Sequence, residues 1–173
     1  LNPRLQAFTH LAADALEQAE AAQARIDAGD PSPFCGIPVG VKDLIDVAGQ
    51  PATSGSRALE ARIATHDAVT VARLRAAGAV LIGKVATYEF AMVGPDLTLP
   101  DPPARNPWNT DHITGGSSSG SASAVAGGLV RIGVSGRALL GAAGAVVLPM
   151  LLDIGVQRTL GVLLAGVIVG VVL

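Results

Sequence analysis

The chain has 173 residues, a net charge of −2, a pI near 5.9, a single cysteine and 3% aromatic residues. That length suffices for one domain with a sizeable core. The charge excludes a basic nucleic-acid footprint, and the scarcity of rings excludes base-stacking platforms. One cysteine excludes a disulfide framework and an all-cysteine zinc site; Cys35 reads as a small core residue.

In chain order, Leu5, Phe8, Leu11, Ala12, Ala15, Leu16 and Ala19 recur at helical spacing, with polar residues between them. They predict one helix closed by Gly29 and Asp30-Pro31. A loop through Pro31, Pro33 and Gly36 leads to a buried strand, Ile37 to Val41, that ends at Lys42. Residues 46–56 are rich in turn formers. A second helix is predicted from Asp67 as N-cap to Ala77, with Gly78 as its stop. Ala79 to Ile82 reads as a strand, and Thr87 to Met92 as a short helix with Thr87 as its cap. The stretch 94–116 carries five prolines, and a loop that long is expected to border a site. Ala122 to Val130 closes this part as a helix of small residues. Helices alternating with strands predict an α/β fold.

One run is a decoy. Gly78 to Lys84 fits a G-x-x-x-x-G-K phosphate loop, but Val85 follows where Mg²⁺ binding needs Ser or Thr, and the inner residues are strand formers. It reads as a helix–glycine–strand connection. Lys42 is different. At the end of an apolar strand it would be partly desolvated, which makes a lysine a usable base. Read alone, it is better explained as a lysine that snorkels or pairs with Asp43 or Asp46. The loop Gly115-Gly116-Ser117-Ser118-Ser119-Gly120-Ser121 changes that balance. Glycines permit unusual backbone, amides ahead of a helix make an oxyanion pocket, and serine hydroxyls relay protons.

The Gly36–Asp43 lysine motif, the Thr65–Lys84 helix and strand, Glu89-Phe90-Ala91, Arg105-Asn106-Pro107-Trp108 and the Gly115–Ala126 run, in that order, resemble the amidase signature enzymes. The resemblance covers about residues 1–134. It implies a truncated amidase signature fold, a mixed sheet between helices, acting on carboxamide C–N bonds by Ser–Ser–Lys catalysis. Lys42 would be the general base. Ser117 would be the bridging serine, which in the family often sits on a strained cis peptide, passing a proton between Lys42 and a nucleophilic serine. Gly115, Gly116, Ser118 and Ser119 would form the substrate and oxyanion loop. No metal and no organic cofactor is implied; the partner is a small-molecule amide, with no direct nucleic-acid binding.

The chain departs from the family where the nucleophile belongs, about two dozen residues after the bridging serine. That region reads Gly136-Arg137-Ala138-Leu139-Leu140-Gly141-Ala142, and no serine follows Ser135. The chain as given is therefore expected to be catalytically incomplete. The alternatives are a non-catalytic binding module that keeps part of the amide pocket, or a membrane-tethered protein with a permease-like tail. Residues 135–173 form a separate, hydrophobic segment whose only charged residues are Arg137, Asp153 and Arg158. Its two apolar stretches, 138–152 and 159–173, are each shorter than the roughly 20 residues of a membrane span, and are expected to be short helices breaking near Asp153. The segment is a candidate membrane contact or a frameshifted or fused tail. Residues 1–134 carry no leader pattern and are expected in the cytoplasm. Both ends read as the edges of a fragment. Without later strands, the helix of small residues is expected to leave apolar surface uncovered.

Overall fold

The computed structural model describes residues 1–29, 32–58, 62–92, 94–96, 98 and 103–135. The elements run α1 (Asn2–Leu5), β1 (Phe8–Leu11), α2 (Ala15–Asp27), β2 (Pro38–Lys42), β3 (Pro51–Ala52), β4 (Arg62–Ile63), α3 (Val69–Ala76), β5 (Val80–Val85), a 3-10 turn (Glu89–Ala91), α4 (Ser119–Ala126) and β6 (Ile132–Val134). The main sheet has the order β1-β5-β2-β6, with β5, β2 and β6 parallel and β1 antiparallel on the β5 edge. The mixed sheet between helices is thus as expected. The tail helices, the membrane contact and the nucleophile region at 136–173 lie outside the described residues. Among the described residues no helix is long and apolar enough to cross a membrane.

The sheet is covered on both sides. Val39, Val41, Leu81, Ile132 and Val134 pack with Val71 and Leu74 of α3. On the other face Val85 packs with Ala124 of α4, and Val80 with Ala22 of α2. From β2 the chain crosses through α3 to β5 on one side, then returns through α4 to β6 on the other. Right-handed crossovers in opposite directions put their helices on opposite faces. The carboxyl edge of the parallel strands, where open α/β sheets take their ligands, is therefore where Lys42 ends β2 and α4 begins.

The predicted first helix is corrected: its first half is strand. Gln6 adopts a left-handed φ of 52° that ends α1, and Phe8 to Leu11 pair with β5. An open β5 edge gains more from a ladder of hydrogen bonds than four residues gain from a helix. The apolar count misled because Leu11 and Leu16 stay exposed, while α2 lies on the sheet through Ala15, Gln18, Ala19 and Ala22. Gln18 Oε1 accepts the Leu81 N–H (2.9 Å).

Smaller corrections follow the same logic. Asp67 is not the cap of α3; Ala68 is, and Asp67 instead accepts the Ala48 N–H at 2.7 Å and two bonds from Arg75. Thr87 caps no helix, since Phe90 and Ala91 take left-handed φ of 48° and 58° and leave only the 3-10 turn. Phe90 N–H is drawn to Ser54 O (2.9 Å), and the Ser56 hydroxyl donates to Glu89 (2.7 Å). The helix expected over 122–130 begins earlier, at Ser119, and ends at Ala126 because Gly128 takes a φ of 71°. Ala122 and Ala124 are buried, because small side chains let α4 lie directly on the strands. The exposed large apolar residues are elsewhere, Met92 and Trp108 among them.

Candidate active site

Lys42 is the last residue of β2, and its side chain lies on the α4 face of the sheet, opposite Val41, which packs with α3. It is 4% exposed. Its ammonium donates to Ser117 Oγ (3.0 Å) and to Ser118 Oγ (3.1 Å). Both serines are half-buried, so the pair faces solvent on one side. Burial pushes the Lys42 amine down from the ordinary 10.5 to about 8. No carboxylate makes an ion pair with it among the described residues. The bland pairings are taken: Asp43 binds Lys84 (2.9 Å) and Asp46 binds Arg62 (2.7 Å).

Gly115 and Gly116 turn the chain into α4 with φ of 79° and 69°. That turn is made with trans peptides. Among the described residues no peptide bond is cis, the one before Ser117 included. Ser119 sits in the first turn of α4 and is fully buried, with no hydrogen bond to its Oγ. Gly120 is set so close to the end of β5 that a Cβ there would stand 2.1 Å from Ala86 N. Its own N–H donates to Ala86 O (3.0 Å), and the Tyr88 N–H reaches Ser117 O (3.4 Å). The serine loop is thereby docked on the end of β5, beside the end of β2.

Sequence reasoning missed the layer behind Lys42. Asp43 is fully buried. Its carboxylate accepts Lys84 Nζ, the Thr53 hydroxyl (2.6 Å) and the Thr53 N–H (3.3 Å). Lys84, also fully buried, donates in addition to Pro51 O (2.9 Å). The signal was present: a lysine inside a continuous apolar strand requires a buried counter-ion. Ser54, next in the turn, holds a left-handed φ of 57°, a costly conformation for a residue with a side chain. It is fixed by its N–H to Asp43 O (3.0 Å) and its carbonyl to Phe90 N–H. The lysine of the G-x-x-x-x-G-K run is sealed in the core and paired with Asp43. Among the described residues no His, Cys, Asp and Glu cluster could hold a metal ion.

A buried lysine with no ion-paired carboxylate among the described residues is thus hydrogen-bonded to paired serines at the carboxyl edge of a mixed α/β sheet. The family model described as Amidase matches residues 1–136, and the chain belongs to that family. The A subunit of glutamyl-tRNA(Gln) amidotransferase from Roseiflexus sp. (strain RS-1) is 49% identical over 129 residues, 74% of this chain and 26% of that protein. Its counterpart from Exiguobacterium sibiricum is 46% identical over 127 residues, 73% of this chain and 26% of that protein. Among solved structures, the peptide amidase of Stenotrophomonas maltophilia is similar with a TM-score of 0.65 and 37% identity, over 76% of this chain and 28% of that one. The glutamyl-tRNA(Gln) amidotransferase A subunit of Thermotoga maritima is similar with a TM-score of 0.62 and 34% identity, over 77% and 27%. The chain spans about a quarter of the length of the curated relatives it matches.

Proposed function

We propose that residues 1–134 form the lysine–serine half of an amidase site that cleaves carboxamide C–N bonds. The observation that carries this is the 3.0 Å hydrogen bond between Lys42 Nζ and Ser117 Oγ, made by a buried lysine with no carboxylate on it. In the neutral form, Lys42 accepts the Ser117 proton while Ser117 takes one from a nucleophilic serine. The serine oxygen bonds to the amide carbonyl carbon, and the C–N bond breaks as the proton returns through Ser117 to the departing amine. Water then cleaves the acyl ester by the same relay. Gly115, Gly116 and Ser118 would supply the loop whose donors hold the carbonyl oxygen. Ser119, turned into the core, serves the packing of α4.

The nucleophile must come from outside the serines of this sequence, since none follows Ser135. The chain alone is expected to release no ammonia from simple carboxamides above background. The decisive experiment places residues 1–134 in the Roseiflexus relative in exchange for the matching segment. The chimera is expected to hydrolyse or transfer amide nitrogen, and Lys42→Ala or Ser117→Ala to lower kcat by at least about a hundredfold, the usual scale for removing a general base. An active chimera indifferent to Lys42→Ala would refute the assignment. The same missing serine favours a second reading, an amide-binding module without turnover. Binding of a carboxamide by the chain alone, lost in Lys42→Ala, would support it.

A further inference from the structure

Lys84 is the largest fully buried side chain among the described residues, and the proton relay makes no use of it. It lies in β5 opposite Val41, so it shares the sheet face of Val41 and Asp43, while Lys42 points to the other face. The Asp43 carboxylate is committed on that far face to Lys84, to Thr53 and, at 3.4 Å, to the Thr9 hydroxyl. The Asp43 backbone is also pinned: its N–H donates to Val85 O (3.0 Å) and its carbonyl accepts Ser54 N–H. We propose that Lys84 is a positioning residue for Lys42: it neutralises and holds the neighbouring Asp43 carboxylate on the opposite face of the sheet, where strand alternation has turned it, and leaves Lys42 without a counter-ion.

The alternative arrangement is the one the sequence suggests at first sight, Lys42 with Asp43. An adjacent carboxylate would hold Lys42 in its charged form and spoil it as a base. A buried carboxylate cannot simply be left alone, so a second buried cation must neutralise it. The other ionisable groups on the elements around Lys42 are His10 in β1, Tyr88 and Glu89 at the 3-10 turn, and Asp46 after β2; Glu89 is held by Ser56 and Asp46 by Arg62. α4 and β6 contribute none. Lys84 is therefore the group whose loss would release a negative charge beside Lys42.

The test reads Lys42 in the full chain and does not depend on turnover. It stands whether or not the chimera is active, although the purpose assigned to Lys84 rests on Lys42 as the base. Trace acetylation across a pH series, followed by peptide mass spectrometry, gives the titration of Lys42. In Lys84→Met that titration is expected to move up by about one pH unit or more, the scale of a nearby opposite charge. Asp43→Asn combined with Lys84→Met should return it to the wild-type position, and Lys84→Arg should leave it there. Should Lys84→Met not fold, Lys84→Gln keeps a donor for Asp43 and is expected to give the same rise. A folded Lys84→Met or Lys84→Gln in which Lys42 titrates as in the wild type would overturn the proposal. So would a double variant displaced as far as Lys84→Met.

Discussion

The burial of Lys42 has a thermodynamic consequence that Lys42→Met exposes. The folded state lowers its pKa from 10.5 to about 8 through burial. The unfolded chain therefore binds more protons than the native one between those values, and stability rises with pH across that window. Below pH 8 the native state carries the full penalty. Two and a half pH units at about 1.4 kcal/mol each set an upper bound between about 3 and 4 kcal/mol. Water reaching the half-buried serines screens part of it, so we take on the order of 2 kcal/mol. Methionine has similar length and no charge. At pH 7, Lys42→Met should be more stable than the wild type by that amount, about 4–8 °C in Tm for a chain of this size. The two proteins should converge as the pH passes 10.5. The hydroxyls of Ser117 and Ser118 lose their donor but stay solvated, which limits the offset. Urea unfolding followed by circular dichroism at pH 7, 8.5 and 10 measures the difference. A variant less stable at pH 7, or a difference that does not shrink as pH rises, would refute the reasoning.

Two further outcomes test the framework around the site. Gly120→Ala places a Cβ 2.1 Å from Ala86 N and 2.6 Å from Ala7 O, backbone atoms that cannot turn aside; the expected loss in urea unfolding is about 1–3 kcal/mol or more, with the serine loop displaced from β5, whereas an unchanged midpoint would mean that α4 does not sit against the sheet as described. Asp67 is held below the usual carboxylate range mainly by the Arg75 hydrogen bond, so its contribution is present above the unfolded carboxyl pKa and is lost as the pH falls through the lower folded value; Asp67→Asn should cost about 1 kcal/mol at pH 7 and nothing once both proteins are below that value, and an equal difference at pH 7 and pH 2 would show that charge is not the cause.

The family, the position of the lysine and the serine loop were legible in the sequence, because each depends on local chemistry written in consecutive residues. Gly36 to Asp43 and Gly115 to Ser121 carry their backbone requirements with them, and the stop at Gly78 needs only a left-handed residue after a helix. What the tertiary structure decided are the pairings between distant segments. Whether Phe8 to Leu11 form helix or strand turned on the open edge of β5, more than 70 residues away, and no periodicity within the segment reports it. The partner of Asp43 was decided the same way. In sequence its neighbour is Lys42; in space the parity of β2 turns the two side chains to opposite faces and presents Asp43 to Lys84. A strand's alternation sets which face a residue takes, but only the packed sheet supplies what waits on that face, and that is what separates a free lysine from a neutralised one.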